Sequence, residues 1–362
     1  MDFGLSEDQL LLEETIRGFL ADRVPITRVR ELRDEPCCND RTIWTELAEL
    51  GATGILVAEA HGGSDLALLD AALVSQALGY RVTPTPFLTS AVMAPVALGA
   101  LPGDATGAWL AGIATGDFVF GVAVTECFSV REGAGVALEG GSLTGKAMMA
   151  IDALTADYIL LALGEDRLAV IRADAAGLSK TRLATIDATR CTCELLLDSV
   201  TPEAVFEDAG AAIARMLDAG RIALAADSLG AAESMIEQSV AYALERKQFD
   251  RVIGSFQAVK HMCAEMIAEL EPARALLWYA AHSFDAMPDE APLMACHALA
   301  HISEIGHQIA SVSTQVHGGI GWTDEQNLHF WYKRIGVDRQ LLGGPDLLRN
   351  RAAELQGLAA AA

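Results

Sequence analysis

The chain has 362 residues, 52% hydrophobic and 21% charged, so it can bury a substantial core and is not a disordered polypeptide. Its 49 acidic residues outnumber the 26 basic ones, which gives a formal net charge of −23 at pH 7. We expect no nucleic-acid partner, because phosphates would repel such a chain. This charge does not exclude a nucleotide held in a local pocket.

The sequence predicts neither a secretory signal nor a membrane span, because it lacks a basic N-terminal stretch with an apolar core and a long apolar window. The seven cysteines match no zinc spacing, and the C-x-C pair Cys191 and Cys193 has no second pair near it in sequence. His297 and His301 lie one helical turn apart, but neither belongs to a Glu-x-x-His arrangement. We therefore expect a cytoplasmic protein with reduced thiols and no metal site.

The first part of the chain, residues 1–118, reads as helical. Ser6 is a natural N-cap, and Gln9 three residues later predicts a capping box at the start of the first helix. Further amphipathic runs cover residues 42–50, 66–78 and 87–98.

The middle part, residues 119–208, is rich in β-forming residues separated by Gly and Asp turns. We predict a small antiparallel barrel or sandwich. The predicted strands lie within residues 118–124, 158–163, 168–171 and 192–197.

The last part, residues 209–362, returns to the helical period. Long helices are predicted over 211–247, 255–284 and 291–316, with a shorter one near 345–358. The predicted fold is mainly α with an inserted β domain, and its C-terminal part is a four-helix bundle.

Three stretches carry a resemblance to a known family: the N-terminal Ser-Glu-Asp-Gln start, residues 242–260 with Arg246 and Phe249, and residues 315–325 with a Gly-Gly turn. Together with the α–β–α order, they resemble the acyl-CoA dehydrogenase family of flavoproteins. The resemblance implies an oligomer of like or unlike subunits with FAD at the subunit interfaces. It also implies α,β-dehydrogenation of an acyl-CoA: a carboxylate removes the α proton, flavin takes the β hydride, and electrons leave through an electron-transfer flavoprotein.

The resemblance assigns Arg246 to the pyrophosphate of the neighbouring subunit's FAD, and a guanidinium suits a diphosphate. Phe249 and Gln257 stand at matching spacings and are assigned to the same cofactor. The alternative is a surface arginine that stabilises a helix end through the macrodipole.

The second cofactor element is Gln315, Val316, Gly318 and Gly319, where glycines permit a turn and a close backbone approach. The alternative is a plain glycine C-cap. His317 lies inside this element and is expected to be structural.

The chain departs from the family at the catalytic base. The usual Glu position falls at Leu342, and the alternative position, a Glu before an Arg, falls at Gly220 before Arg221. Neither residue can accept a proton. Asp227 is a nearby acid in the same predicted helix, and a helix-packing role is its alternative.

The strands that would face the flavin ring also depart from the family. Thr125 is retained and assigned to the cofactor, but Cys127 replaces the expected Pro, and Met148 and Met149 stand where the family carries an aromatic residue.

These departures suggest the subunit without the catalytic Glu of a heteromeric acyl-CoA dehydrogenase, as used for bulky substrates such as steroid side chains. A paralogous partner would supply the base, and this chain would complete the partner's FAD site. The alternatives are a self-sufficient homo-oligomeric dehydrogenase with a displaced base, a non-catalytic structural or assembly protein, and a related flavin oxidase or monooxygenase.

Overall fold

The computed structural model describes residues 4–35, 37–129 and 131–358. The chain divides into two compact units. One comprises residues 1–29, 72–83 and 222–362, and the other comprises residues 30–71 and 84–221. The predicted three-part division at 118/119 and 208/209 stays a prediction.

The first helix, α1 (Glu7–Arg23), begins with the predicted capping box. The Ser6 hydroxyl accepts from the Gln9 backbone N–H at 3.2 Å, and the Gln9 side chain accepts from the Ser6 N–H at 3.0 Å. A π-helical turn over Phe87–Met93 leads into α5. The helices after α1 are α2 (Ile26–Arg33), α3 (Arg41–Glu49), α4 (Leu68–Tyr80), α5 (Ala94–Gly99) and α6 (Asp104–Ala114).

The middle of the chain forms one eight-stranded sheet of order β6-β7-β3-β1-β4-β5-β8, with β2 paired to β3. The predicted strands are confirmed as β1, β4, β5 and β7. Pairing is antiparallel except between β1 and β4, which are parallel. The prediction of a purely antiparallel sheet is therefore wrong at this one pair of strands. The strands are β1 (Phe120–Ala123), β2 (Gly135–Glu139), β3 (Ser142–Ile151), β4 (Tyr158–Leu163), β5 (Arg167–Arg172), β6 (Leu178–Arg182), β7 (Thr192–Val200) and β8 (Ala204–Phe206).

The remaining elements are helical apart from a two-stranded hairpin, and the four predicted helices are confirmed. An additional helix, α10, was not predicted. The elements are α7 (Gly210–Glu245), β9 (Lys247–Gln248), β10 (Arg251–Val252), α8 (Gln257–Ala286), α9 (Ala291–His317), α10 (His329–Asp338) and α11 (Pro345–Leu355).

Two glycines allow α4 and α7 to pack backbone against backbone. A Cβ on Gly79 would lie 2.0 Å from the Asp227 carbonyl oxygen, and a Cβ on Gly230 would lie 1.9 Å from the Gln76 carbonyl oxygen. Any larger side chain would force the helices apart. Next to this crossing, the Glu233 carboxylate accepts hydrogen bonds from Arg17 and Gln76, which ties α1 and α4 to α7.

Candidate functional site

The first predicted cofactor element lies where α7 ends. The backbone N–H of Arg246 donates to the Tyr242 carbonyl at 2.9 Å, and the backbone carbonyl of Arg246 accepts from the Ile253 N–H at 2.8 Å. The hairpin β9–β10 is thereby folded back onto the helix end. The Arg246 side chain is exposed and forms no ion pair with any residue that the structure describes. Its guanidinium is therefore available to an anion.

The hairpin turn holds an aromatic residue in a costly conformation. Phe249 and Asp250 have φ of 53° and 63°, the left-handed pair of a two-residue hairpin turn that usually selects Asn or Gly. The Phe249 side chain is nevertheless 87% exposed. Its ring packs edge-on against that of Phe256, with the ring centroids 6.2 Å apart. The next residue, Gln257, is the exposed first residue of α8. A strained, outward-pointing aromatic side chain is typical of a binding surface.

The second predicted element lies where α9 ends. Gln315 is exposed, Val316 is buried, and Gly318 terminates the helix with φ of 67°. A Cβ added to Gly318 or Gly319 would meet no described heavy atom within 4 Å. The backbone at this turn is therefore open to close approach by a ligand.

A stacked pair of rings joins the two elements. The Tyr242 and His317 centroids are 4.6 Å apart at an interplanar angle of 21°, which brings the ends of α7 and α9 together. Sequence analysis did not predict this contact, because the two residues lie far apart in the sequence. We call the resulting surface the α7–α9 rim, defined by Arg246, Phe249, Gln257, Gln315, Gly318 and Gly319.

His317 supports the rim structurally. Its Nδ1 lies 2.8 Å from the Ser313 carbonyl oxygen, and since a carbonyl only accepts, Nδ1 must carry the proton. Burial lowers the pKa of His317, so the ring is neutral at pH 7. This agrees with the structural role expected from the sequence.

Neither family base position offers a carboxylate. Leu342 is buried, with φ of 55°, between α10 and α11. Gly220 lies inside α7, and the neighbouring Arg221 forms an ion pair with Asp218 at 3.0 Å.

Asp227 is held in a buried, bidentate ion pair. Arg334 Nε lies 2.9 Å from Oδ1, and a terminal guanidinium nitrogen lies 2.8 Å from Oδ2. Arg334 also donates to the Thr83 carbonyl at 3.4 Å. Since both carboxylate oxygens are engaged, this geometry favours the helix-packing role over catalysis.

Thr125 lies in the other compact unit, buried in a short 3-10 turn after β1. The adjacent Glu126 carboxylate accepts from the Met148 N–H at 2.9 Å. Met149 has φ of 53°, where the pairing of β3 with β7 shifts register. The cofactor contact assigned to Thr125 stays a prediction.

Among the described residues, no group of His, Cys, Asp and Glu side chains could hold a metal ion. The described helices include none with both the length and the apolarity needed to cross a membrane.

Comparisons with known proteins identify the family. Residues 6–117 match the acyl-CoA dehydrogenase N-terminal domain, and residues 209–355 match the acyl-CoA dehydrogenase C-terminal domain. The acyl-CoA dehydrogenase IpdE2 of Mycobacterium tuberculosis is 31% identical over 357 residues, covering 96% of this chain and 98% of that protein. The chain therefore belongs to the acyl-CoA dehydrogenase family.

Two solved structures share the fold closely. The ChsE4-ChsE5 complex from Mycobacterium tuberculosis matches with a TM-score of 0.89 and 25% identity, with 100% of both chains covered. A variant of the Tcur3481-Tcur3483 steroid ACAD matches with a TM-score of 0.87 and 28% identity, covering 97% of this chain and 98% of that one.

The rim residues fit the FAD on which this family depends. An exposed guanidinium without an ion pair among the described residues suits a diphosphate. The open backbone at Gly318 and Gly319 permits close approach of a planar or phosphorylated group.

Proposed function

We propose that this chain is the subunit of a heteromeric acyl-CoA dehydrogenase that lacks the catalytic base. It completes the FAD site of a Glu-bearing partner with its α7–α9 rim. The observation that carries this proposal is an asymmetry: the rim is assembled, whereas both base positions, Leu342 and Gly220, lack a carboxylate.

Five of the six rim residues have a defined task in this proposal. Arg246 binds the pyrophosphate through its planar fork, and Gln315 hydrogen-bonds to the neighbouring polar groups of the cofactor. Gly318 and Gly319 allow the backbone to approach, while Phe249 covers the cofactor with an apolar surface. When bound, FAD accepts the hydride lost from the β carbon of the acyl-CoA.

The α proton requires a general base, which typically contributes about 10²–10⁴-fold to the rate. Asp227 does not offer one, because it is paired with Arg334. Breaking that ion pair would leave the buried Arg334 charge unpaired. The partner is therefore proposed to supply the Glu.

We propose a bulky acyl-CoA, such as a steroid side-chain thioester, as the substrate class. The support is the similarity to a protein described as a steroid ACAD. Electrons are proposed to pass to an electron-transfer flavoprotein, and the assembly is proposed to act in the cytoplasm.

Co-expression with a Glu-bearing paralogue tests the proposal. We expect a yellow heterotetramer with about one FAD per pair of unlike chains, because only one kind of site is complete and FAD stabilises the assembly by mass action. Native mass measurement and flavin absorbance provide the readout. A yellow homotetramer with FAD in every chain would support the self-sufficient enzyme, and a colourless complex would support an assembly protein.

A further inference from the structure

Three cysteine thiols converge in the unit formed by residues 30–71 and 84–221. Cys37 and Cys38 lie in the loop between α2 and α3, and Cys191 lies directly before β7. The Cys37 and Cys191 sulfurs are 3.2 Å apart, and the Cys38 thiol lies near enough to interact with both. The second cysteine pair, which appeared absent near Cys191 in sequence, is thus supplied by a distant loop.

The cluster has one accessible thiol and two enclosed ones. Cys37 is half-buried, whereas Cys38 and Cys191 are 0% and 1% exposed. An oxidant therefore reaches Cys37 first, and Cys191 lies behind it as a resolving thiol.

The loop that carries Cys37 is fixed by polar contacts. The Asn39 amide donates to Asp152 Oδ1 at 3.1 Å and to the Thr155 hydroxyl at 3.2 Å. The Glu35 carbonyl accepts from Arg182 at 3.0 Å. These contacts hold the two sulfurs in place on either side of the gap between loop and strand.

The surroundings favour a reactive sulfur at Cys37. Hydrogen bonds from the Cys191 and Cys38 thiols lower the pKa of Cys37, although burial opposes them. Cys191 keeps its proton, because hydrogen bonding to Cys37 and Cys38 and burial raise its pKa. One thiolate next to protonated thiols is the arrangement found at redox-sensitive sites.

We propose that Cys37 and Cys191 form a peroxide-sensitive dithiol site. The Cys37 thiolate attacks hydrogen peroxide, so that the O–O bond breaks, an S–O bond forms and, with one proton, water leaves. The Cys191 sulfur then attacks the sulfenic acid, so that the S–O bond breaks, the disulfide forms and a second water leaves. Two thiols lose two electrons to one peroxide, and a dithiol reductant reverses the reaction.

The geometry selects Cys191 over Cys38 as the partner. The described residues contain no cis peptide bond, so the Cα atoms of adjacent Cys37 and Cys38 are about 3.8 Å apart. A disulfide normally needs Cα atoms about 4.4–6.8 Å apart. The bond is therefore expected to link the loop to the strand rather than neighbouring residues.

Peptide mapping of the full chain tests the site. After brief treatment with hydrogen peroxide and alkylation without reductant, we expect a Cys37–Cys191 cross-linked peptide, loss of two of the seven thiols, and reversal by dithiothreitol. No cross-link, or a cross-link through Cys38, would overturn the proposal.

A trapping experiment separates the two roles. Cys191→Ser keeps a hydroxyl donor beside Cys37 but cannot form the disulfide. In this variant, treated with hydrogen peroxide, dimedone should trap the Cys37 sulfenic acid several-fold faster than that of Cys263, a half-buried thiol on α8. Cys193→Ala, which alters a buried thiol two residues away, should still form the cross-link. Equal labelling of Cys37 and Cys263, or loss of the cross-link in Cys193→Ala, would contradict the assignment.

Discussion

Arg246 is the residue on which the proposed cofactor contact depends most directly. Arg246→Ala in the purified complex should raise the dissociation constant of FAD about ten- to a hundredfold, because a hydrogen bond to a charged group contributes about 1.5–3 kcal/mol. Arg246→Lys should give an intermediate value, since the charge stays but the fork is lost. Fluorescence titration of the flavin-depleted complex measures both.

The matched control is Arg351→Ala, which removes an exposed arginine paired with Glu354 on α11. Such a surface pair contributes little, so flavin binding should not change. If Arg246→Ala binds FAD as tightly as this control, Arg246 only stabilises the helix end.

Asp152 should make the free energy of unfolding depend on pH. Its buried carboxylate accepts from Asn39 and from Thr89 at 2.9 Å, and burial raises its pKa to about 6. Between about pH 4 and 6 the folded state holds a proton that the unfolded state has lost, so stability falls as pH rises by roughly 3 kcal/mol in total. Asp152→Asn removes this loss, and Asn tolerates the φ of 55°.

Urea unfolding across this pH range should therefore show Asp152→Asn equal to wild type near pH 4 and more stable at pH 7. Asp174→Asn is the control: Arg172 lowers the pKa of this exposed carboxyl, so its variant should lose stability relative to wild type as pH rises. If the free energy of unfolding changed with pH in the same way for wild type and Asp152→Asn, the raised pKa of Asp152 would be refuted.

The residues of the candidate site were assigned through the resemblance to the acyl-CoA dehydrogenase family, but their arrangement could not be predicted from the sequence. Arg246 and Gly318 lie in the two stretches that carry this resemblance. The two motifs are joined by the stacked rings of Tyr242 and His317, which lie on different helices. No local sequence pattern predicts such a contact. The same holds for Cys37 and Cys191, whose contact depends on how a loop packs against a sheet.

At the scale of elements, prediction succeeded where burial follows a regular period. The missed helix α10 buries Arg334 and Asp338 beside Phe330 and Ile335, so charged residues interrupt its apolar stripe. The missed strands β2 and β6 alternate between half-buried and exposed residues, but neither contains a fully buried residue. The contrast between their two faces is therefore too small to mark a strand in the sequence.

The crossing of α4 and α7 gives the prediction at this scale. Gly230→Ala should lower the free energy of unfolding by about 1–3 kcal/mol or more, because the new methyl group collides with the Gln76 carbonyl. Gly18→Ala on α1 is the control: its added Cβ meets no described atom within 4 Å, so we expect a gain of about 0.5–1 kcal/mol. Chemical denaturation measures both, and equal effects would show that the crossing tolerates a side chain.

At the scale of the whole molecule, the missing base predicts a chain that cannot work alone. The purified chain should show no acyl-CoA dehydrogenation with an artificial electron acceptor, even with added FAD, and should gain activity when the Glu-bearing partner is added. Turnover by the isolated chain would reject the proposed division of labour. In that event, loss of turnover in an Asp227→Asn variant that still unfolds cooperatively and binds FAD would identify Asp227 as the base.

The outward-facing apolar side chains at the end of α7 have a further consequence for the cell. Leu244 and Phe249 are 64% and 87% exposed, and large exposed apolar groups are what chaperones and proteases recognise. In the proposed assembly these groups are covered only after the partner binds. The lifetime of the chain is then expected to follow the supply of its partner, so that chain made in excess of the partner is degraded.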